Sequence, residues 1–439
     1  MKKILCYFIG ALILITTLVF SACNEDKKSE SEPEVLYQLT GDMRTDSMFD
    51  VNELYLDQPN IKSANIEYGS ATGLSAFKFE SVAYEPKGLT STWVFAVMGL
   101  PNESKFPEPE NGYPAVVLIH GGGGQVYTEW IRWWNARGYV ALAFDTYSNE
   151  LDEKGNLVKN TEGGPGSSDG PLADKSADYK NSWVYHNVIN IIYCNNILRN
   201  RDDIDDKRIC VSGISWGAVL CEIVSGVDNR FACFAPVYGA GYIFDDTNWQ
   251  KAAQNYGGMA FDNGNIERWK NYFDPSAYVG YCYKPILFVS GIDDICFSTV
   301  SRVKTYALAK GKTFYAQHYD LGHGHVWYKT PEIYYFFNHV LYGEEYLLVS
   351  KTESNDGLIS FAVNMSNYSA ANLIYTKAVD EDSHDWIWQT EPVYAENGII
   401  MVPIQEDFTA FYIEFSYDED EYYKTSSEII FNKDIVNLR

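Results

Sequence analysis

One serine lies in a Gly-x-Ser-x-Gly pattern at the junction of a predicted strand and a predicted helix. Gly213, Ser215 and Gly217 form the pattern; an apolar run at 208–212 precedes it and another at 218–224 follows it. Small residues on both flanks permit a very tight turn, which lifts the serine oxygen above the sheet. The helix N-terminus behind it stabilises a developing negative charge. The arrangement predicts that Ser215 is a nucleophile.

The same pattern occurs a second time, at 166–170, where it would make Ser168 the nucleophile. That copy lies in a loop that contains Gly and Pro, with no strand before it and no apolar helix after it. The predicted strand and helix on either side, rather than the pattern itself, therefore favour Ser215 as the nucleophile.

A glycine run predicts the groups that would stabilise an oxyanion. The strand-like run 114–120 ends at His120 and is followed by four glycines, 121–124. A strand that ends in this way leaves backbone N–H groups free beside the serine turn. We expect Gly121 or Gly122 to donate one N–H to the oxyanion and Trp216, directly after the nucleophile, to donate the other.

Two acidic residues follow a later predicted strand at 285–290. A carboxylate at that strand end can accept a hydrogen bond from a histidine and fix its tautomer. Asp294 has the Gly-x-x-Asp spacing counted from Gly291, which favours it as the catalytic acid. Asp293 remains the alternative.

Two histidines follow the predicted strand 313–318, and either could act as the general base. Glycines flank His323 on both sides, so its ring has the freedom to approach the serine, whereas His325 precedes the bulky pair 326–327. We therefore predict His323 as the base, with His325 as the alternative. His120 and His186 are interpreted as structural.

Strands and helices alternate through the middle of the chain, which predicts an α/β fold with a mostly parallel sheet covered by helices on both faces. An antiparallel hairpin is expected at 76–98. After residue 345 the helical pattern disappears, and short strand-like runs predict a C-terminal β-sandwich. The predicted domains are a catalytic domain at 75–345, with a cap around 238–277, and a β-sandwich domain at 346–439.

Several stretches resemble the α/β-hydrolase branch of acetyl xylan esterases and dienelactone-hydrolase-like esterases. The similarity lies in segments 205–217, 226–231, 236–239, 322–327 and 331–334, and it covers roughly residues 75–345. Ala218 departs from the pattern, because many relatives carry a second glycine there. The resemblance implies a serine hydrolase in which a serine, an acid and a histidine follow one another along the chain, with no metal or organic cofactor.

The N-terminus has the form of an export signal. Lys2 and Lys3 precede an apolar run at 4–20, and segment 20–23 resembles the lipobox of bacterial lipoproteins, which ends at the lipidated cysteine. We predict a signal peptide at 1–22, lipidation at Cys23, a tether and N-terminal extension at 23–74, and attachment to the outer membrane on its periplasmic or surface face. The alternative is a single transmembrane anchor.

The charge and the cysteine content of the chain limit the kinds of partner and ligand that it is expected to bind. A net charge of −25 over 439 residues repels phosphate backbones, which excludes nucleic acid as a favoured partner. Of the eight cysteines, the six beyond Cys23 show no Cys-x-x-Cys or His-rich spacing. Buried free thiols are therefore expected rather than a metal site, with a disulfide as the alternative if the protein is exported.

These observations predict a lipid-anchored carboxylic-ester hydrolase that removes acetyl or other small acyl groups from polysaccharides. Aromatic residues make up 15% of the chain, which suits stacking on sugars. Two alternatives remain: a serine peptidase similar to the prolyl oligopeptidase group, or a glycan-binding lipoprotein that has lost activity.

Overall fold

A computed structural model of the chain describes residues 48–69, 72–166, 178–245, 249, 263–353, 358–378, 383–403 and 405–432. The predicted signal peptide at 1–22, the lipidation site Cys23, most of the tether and the alternative serine Ser168 lie outside these residues. No helix among the described residues combines the length and the apolar character needed to cross a membrane.

The described secondary structure alternates strands and helices up to residue 342 and consists of strands and short turns beyond it. The helices are α1 (Val51–Leu54), α2 (Thr128–Asn135), α3 (Trp183–Arg199), α4 (Trp216–Ser225), α5 (Asn263–Tyr272), α6 (Thr299–Tyr306) and α7 (Glu332–Tyr342). The first eleven strands are β1 (Ile61–Ser63), β2 (Leu74–Ser81), β3 (Thr92–Gly99), β4 (Tyr113–Ile119), β5 (Val140–Phe144), β6 (Asn149–Leu151), β7 (Leu157–Lys159), β8 (Ile204–Ile214), β9 (Phe234–Val237), β10 (Ile286–Gly291) and β11 (Thr313–His318). The remaining strands are β12 (Val349–Glu353), β13 (Leu358–Val363), β14 (Ala370–Thr376), β15 (Trp388–Pro392), β16 (Ile399–Pro403), β17 (Ala410–Ser416), β18 (Lys424–Ser426) and β19 (Ile430–Phe431).

A long mixed sheet organises the molecule. Its strand order begins β1-β2-β3-β5-β4-β8-β9-β10-β11, and the strands from β5 to β11 in this order are parallel. Strands β2 and β3 form the expected antiparallel hairpin, and β1 pairs with the outer edge of β2. The predicted α/β fold with a mostly parallel sheet is confirmed.

Strands buried on both faces of a parallel sheet are expected to be apolar along their length, and β4 and β5 fit this pattern. Every residue of β4 and β5 is buried. Helices α3 and α4 pack against each other and against β8. Helix α2 packs on α7, where the rings of Trp134 and Phe337 stack with centroids 5.3 Å apart.

The C-terminal strands form two sheets, as predicted, but one of them continues the catalytic sheet. Strands β18, β17, β14 and β15 extend that sheet because β18 pairs antiparallel with β11 at Tyr315 and Ser426. Strands β12, β13 and β16 form the second sheet. Apolar side chains that include Phe361, Val402 and Phe415 fill the space between the two sheets.

The predicted cap at 238–277 is described at 238–245, 249 and 263–277. Asp274 fastens these segments together: its carboxylate accepts hydrogen bonds from the backbone N–H groups of Tyr242, Ile243 and Ser276 and from the indole of Trp269. Both Trp269 and Phe273 are buried, so they pack within the cap rather than offer a face to solvent.

Candidate active site

Ser215 occupies a sharp turn between β8 and α4. It is the residue before the first turn of α4, and its backbone has φ 58° and ψ −118°, a combination that L-residues rarely adopt. Its N–H donates to the carbonyl of Val237 at 2.8 Å, which ties the turn to the neighbouring strand β9. The serine is nearly buried, with 9% of its surface exposed.

The two glycines of the pattern are required by backbone contacts. A Cβ on Gly213 would overlap the carbonyl of Gly217, and a Cβ on Gly217 would overlap the carbonyl of Ile119 on β4. Since backbone atoms cannot move aside as a flexible side chain can, any larger residue at these positions would open the turn.

The structure brings Ser215, His323 and Asp294 into one chain of hydrogen bonds. The Nε2 atom of His323 lies 2.9 Å from Ser215 Oγ, and its Nδ1 atom lies 3.1 Å from Oδ2 of Asp294. Because a carboxylate only accepts, Nδ1 carries the proton and Nε2 is free to accept from the serine. Nucleophile, base and orienting acid are thus in the order that acyl transfer requires.

Asp294, rather than its neighbour Asp293, contacts the histidine. Asp294 is 2% exposed, and its Oδ1 also accepts hydrogen bonds from the N–H groups of Cys296 and Phe297. Asp293 is exposed to solvent. The strand end that carries both residues therefore presents one inward carboxylate and one outward carboxylate.

The charges of the triad support each other. Burial opposes ionisation of Asp294, but the hydrogen bond and charge of His323 outweigh it and hold the pKa of that carboxyl below its usual value. Burial likewise opposes the charged form of His323, yet the adjacent Asp294 carboxylate raises the pKa of the imidazole above its usual value. The pair is therefore arranged to stabilise the imidazolium that forms when the serine loses its proton.

His325 faces a different group. Its Nε2 atom accepts the backbone N–H of Gly121 at 3.0 Å, and its ring lies 5.2 Å from that of Tyr127. Burial lowers the pKa of His325 to about 4, so the ring is a neutral acceptor at neutral pH. Gly121 was expected to offer its N–H to an oxyanion, and the structure instead commits that N–H to His325.

The other two predicted oxyanion donors lie close together beside the serine. The N–H of Trp216 belongs to the first turn of α4, where an N–H has no partner within the helix. Gly122 is exposed, and a Cβ on it would lie 2.9 Å from the indole of Trp216, so the two residues are in near contact. Trp216 and Gly122 therefore remain the predicted oxyanion donors.

Aromatic rings surround the serine and histidine. The ring of Trp216 lies 4.9 Å from that of Trp249, and Trp249 lies 5.5 Å from Phe297. On the other side, Tyr127 lies 5.3 Å from Trp327. Of these rings, Trp216 and Phe297 are buried, whereas Tyr127, Trp249 and Trp327 are partly exposed.

Three supporting residues were not singled out from the sequence. Tyr238 follows β9 with a positive φ of 61°; its ring lies 4.9 Å from His323, and its hydroxyl donates to the carbonyl of Gly322 at 3.0 Å. His384 Nδ1 donates to the carbonyl of Asp294 at 3.0 Å, and Ser383 Oγ accepts the N–H of Val300. Only Tyr238 had a usable signal, since it follows a strand at the same sheet edge as the serine.

Among the described residues, one group could hold a metal ion. Ligand atoms of Asp294, Cys296 and His323 all lie within 4.8 Å of one another. The six cysteines beyond Cys23 are free, as expected. Five of them are also buried, but Cys296 is partly exposed, which differs from the expectation of a buried thiol.

Comparisons with known proteins agree with this geometry. A family model described as acetyl xylan esterase matches residues 82–247, and a model of the prolyl oligopeptidase family matches residues 176–342. A search of curated protein sequences found no significant match.

Solved structures resemble parts of this chain at low sequence identity, and one of them passes a TM-score of 0.5. The acetyl xylan esterase from Paenibacillus sp. R4 superposes with a TM-score of 0.51 and 17% identity, covering 66% of this chain and 91% of that one. Acetyl xylan esterase 1 from Thermoanaerobacterium sp. JW/SL YS485 gives a TM-score of 0.49 and 15% identity over 69% of this chain and 96% of that one. An acylaminoacyl peptidase from Pyrococcus horikoshii gives 0.46 and 15% over 62% and 43%.

The fold and the two family matches define an α/β-hydrolase-like serine hydrolase of the esterase or peptidase type. Within that class, the chain resembles the acetyl xylan esterases.

Proposed function

We propose that this protein is a carboxylic-ester hydrolase that removes acetyl or other small acyl groups from polysaccharides. The observation that carries the proposal is the hydrogen-bonded chain Ser215–His323–Asp294 at the edge of the sheet. The match of residues 82–247 to the acetyl xylan esterase model supports the ester rather than the peptide substrate.

In the first half of the reaction, Ser215 Oγ attacks the ester carbonyl while His323 Nε2 accepts its proton. Asp294 stabilises the imidazolium, and the N–H groups of Trp216 and Gly122 bind the oxyanion. Collapse of the tetrahedral intermediate breaks the ester bond. The imidazolium then gives its proton to the sugar alkoxide, which leaves as an alcohol.

In the second half, water replaces the sugar. His323 accepts a proton from the water, whose oxygen attacks the acyl-serine, and the same oxyanion donors stabilise the second intermediate. The proton returns to Ser215 as the carboxylic acid departs. No further reactant is needed.

The aromatic surroundings favour a carbohydrate. Sugar rings present C–H faces that pack on aromatic side chains. Trp216 and Phe297 beside the serine are buried, but Trp249, which contacts both, is only partly buried and can offer a ring face. Tyr328 adds an exposed ring near Trp327 on the loop that follows the catalytic histidine.

We also propose that the protein is exported and anchored by lipid at Cys23 in the outer membrane. This proposal rests on the basic start, the apolar run and the lipobox-like segment 20–23. A Cys23→Ser variant should leave the membrane fraction, because acyl chains provide the attachment. Retention of that variant after high-salt washing would indicate an uncleaved membrane helix instead.

The catalytic role of Ser215 is tested with Ser215→Ala and a matched Ser168→Ala variant. We expect Ser215→Ala to lose hydrolysis of p-nitrophenyl acetate by several orders of magnitude and to lose labelling by a fluorophosphonate probe. Ser168→Ala should retain both. The reverse pattern would show that the other motif carries the nucleophile, and an unlabelled wild-type protein would indicate an inactive binding protein.

The substrate class is tested by offering acetylated xylan and other acetylated glycans beside proline-containing peptide substrates. We expect release of acetate from a glycan and no peptide cleavage. The match of residues 176–342 to the prolyl oligopeptidase family makes the peptidase the second candidate. Peptide cleavage that is lost in Ser215→Ala, without release of acetate, would establish that candidate instead.

A further inference from the structure

A thiol lies next to the two catalytic residues that hold the proton relay. Cys296 Sγ, a carboxylate oxygen of Asp294 and a ring nitrogen of His323 are within 4.8 Å of one another. The proposed hydrolysis uses the carboxylate and the imidazole but gives the thiol no role. Cys296 is partly exposed, unlike the other five described cysteines, which are buried.

The three ligand types form a familiar set for a borderline-soft cation. Thiolate, imidazole and carboxylate all bind Zn²⁺, and three protein ligands with a water in the fourth position form a common tetrahedral arrangement. Alkaline-earth cations prefer oxygen ligands and would gain little from the sulfur. The net charge of −25 also favours the approach of cations.

The distances suit a metal that replaces the proton between Asp294 and His323. Nδ1 and Oδ2 are 3.1 Å apart. With metal–ligand bonds near 2.0 Å, two ligands of a tetrahedral zinc are about 3.3 Å apart, so Nδ1 and Oδ2 need to move little to bind the metal. The sulfur, which lies within 4.8 Å of the other two ligand atoms, must come to about 3.5 Å from them in a tetrahedral zinc site.

We propose that Asp294, Cys296 and His323 form an inhibitory site for Zn²⁺ and similar thiophilic divalent cations. Binding displaces the proton on His323 Nδ1 and the proton of the Cys296 thiol, and both pass to solvent. The bound metal takes the place of the hydrogen bond that orients the imidazole. It also places positive charge where an imidazolium must form, so Ser215 cannot be activated. The inhibition rests on the proposed hydrolase function, whereas metal binding does not.

The binding site is tested spectroscopically in the full chain, purified without a polyhistidine tag and treated with a chelator. Cd²⁺ is titrated into the wild type, Cys296→Ser and Cys194→Ala, and the ultraviolet charge-transfer band of a Cd²⁺–thiolate bond is recorded. We expect the wild type and Cys194→Ala, which removes a buried thiol outside the site, to give a band that Cys296→Ser lacks. Equal bands in the wild type and Cys296→Ser would overturn the proposal.

The inhibition is tested with Zn²⁺ and p-nitrophenyl acetate, with each protein compared with its own rate in chelator. The Zn²⁺ concentration for half-inhibition should rise at least tenfold in Cys296→Ser and stay unchanged in Cys194→Ala. Mg²⁺ should not inhibit the wild type. Equal sensitivity of the wild type and Cys296→Ser would refute the inhibitory role. Failure of the hydrolase proposal itself would show separately, as activity that survives Ser215→Ala.

Discussion

At the scale of single residues, the site depends on which of two neighbours faces inward. Asp293 and Asp294 both follow strand β10, and His323 and His325 both follow strand β11. Within each pair, the two residues make different contacts. Asp294 and His323 contact each other, while Asp293 faces solvent and His325 accepts the N–H of Gly121. Each pair therefore provides a variant and its matched control.

The pH dependence of hydrolysis reports on the Asp294–His323 pair. Hydrolysis needs a neutral His323, and Asp294 raises the pKa of that imidazole, so activity should fall with decreasing pH through a value above the ordinary pKa of about 6.5. In Asp294→Asn, His323 stays buried but loses the neighbouring carboxylate, so its pKa falls and the acid limb of the pH profile moves to lower pH. The maximal rate should fall by about 10³- to 10⁴-fold.

The measurement is kcat/KM against pH for p-nitrophenyl acetate, with Asp293→Asn as the control. Because Asp293 is exposed, its variant should keep both the rate and the position of the acid limb. A loss in Asp293→Asn comparable with that in Asp294→Asn would contradict the assignment of the acid.

The two histidines should separate in their kinetic effects. His323→Ala should lose turnover nearly as fully as Ser215→Ala, and the double variant should cost little more because the two residues act as a unit. His325→Ala removes an acceptor from the Gly121 N–H and a ring from beside Tyr127, so it should mainly raise KM. Steady-state kinetics on one ester distinguish the two; retained turnover in His323→Ala with loss in His325→Ala would reverse their roles.

At the scale of elements, the turn from β8 to α4 is held by the two strands that flank β8 in the sheet, β4 and β9. Gly217 packs directly on the backbone of Ile119 at the end of β4, while Ser215 is bonded to Val237 at the end of β9. The serine is therefore fixed by two neighbouring parallel strands. This is how a strained backbone can persist at a functional site.

A methyl group at the turn should break this fit. We expect Gly217→Ala to reduce kcat by at least 100-fold and to lower stability by about 1–3 kcal/mol, the range typical of overpacking. Gly280 lies in the short helix Val279–Tyr281 and has open space where a Cβ would be, so Gly280→Ala is the matched control. Thermal unfolding and ester hydrolysis measure both variants; an active Gly217→Ala would contradict the packing argument.

At the scale of the whole molecule, the C-terminal strands are joined to the catalytic part. Strand β18 pairs with β11, the strand that precedes His323. The short helix Ser383–Asp385 contacts the loop of the catalytic acid through His384. An apolar cluster that includes Ile292, Trp386 and Trp388 lies beneath this contact. The C-terminal region thereby supports two members of the triad.

His384→Ala removes the hydrogen bond to the carbonyl of Asp294 and should therefore loosen the loop that carries the catalytic acid. The substituted side chain is not expected to contact substrate. A neutral hydrogen bond contributes about 0.5–1.5 kcal/mol, so His384→Ala should lower kcat roughly 3- to 10-fold with KM unchanged. His384→Gln, which keeps a donor, should restore part of the rate. Ile387, with 78% of its surface exposed, provides the control variant Ile387→Ala. Equal kinetics for His384→Ala and the wild type would show that the contact does not position Asp294.

The sequence by itself determined the α/β class, the hairpin and the strand-like character of the C-terminal region. These features follow from local patterns, namely the period of apolar residues and the turns between them. It also determined the serine turn, because a Cβ on Gly213 would overlap the carbonyl of Gly217 within the same turn.

Only the tertiary structure decided that His325 takes the N–H of Gly121 and that β18 continues the catalytic sheet. These outcomes depend on contacts between residues far apart in the chain, such as 204 positions for Gly121 and His325. Residues two apart in an extended loop can point to the same side, so the preference for His323 over His325 rested on its flanking glycines and not on the direction of the side chain. The contact between Gly121 and His325 forms when the carboxyl ends of the parallel strands of a single sheet come together.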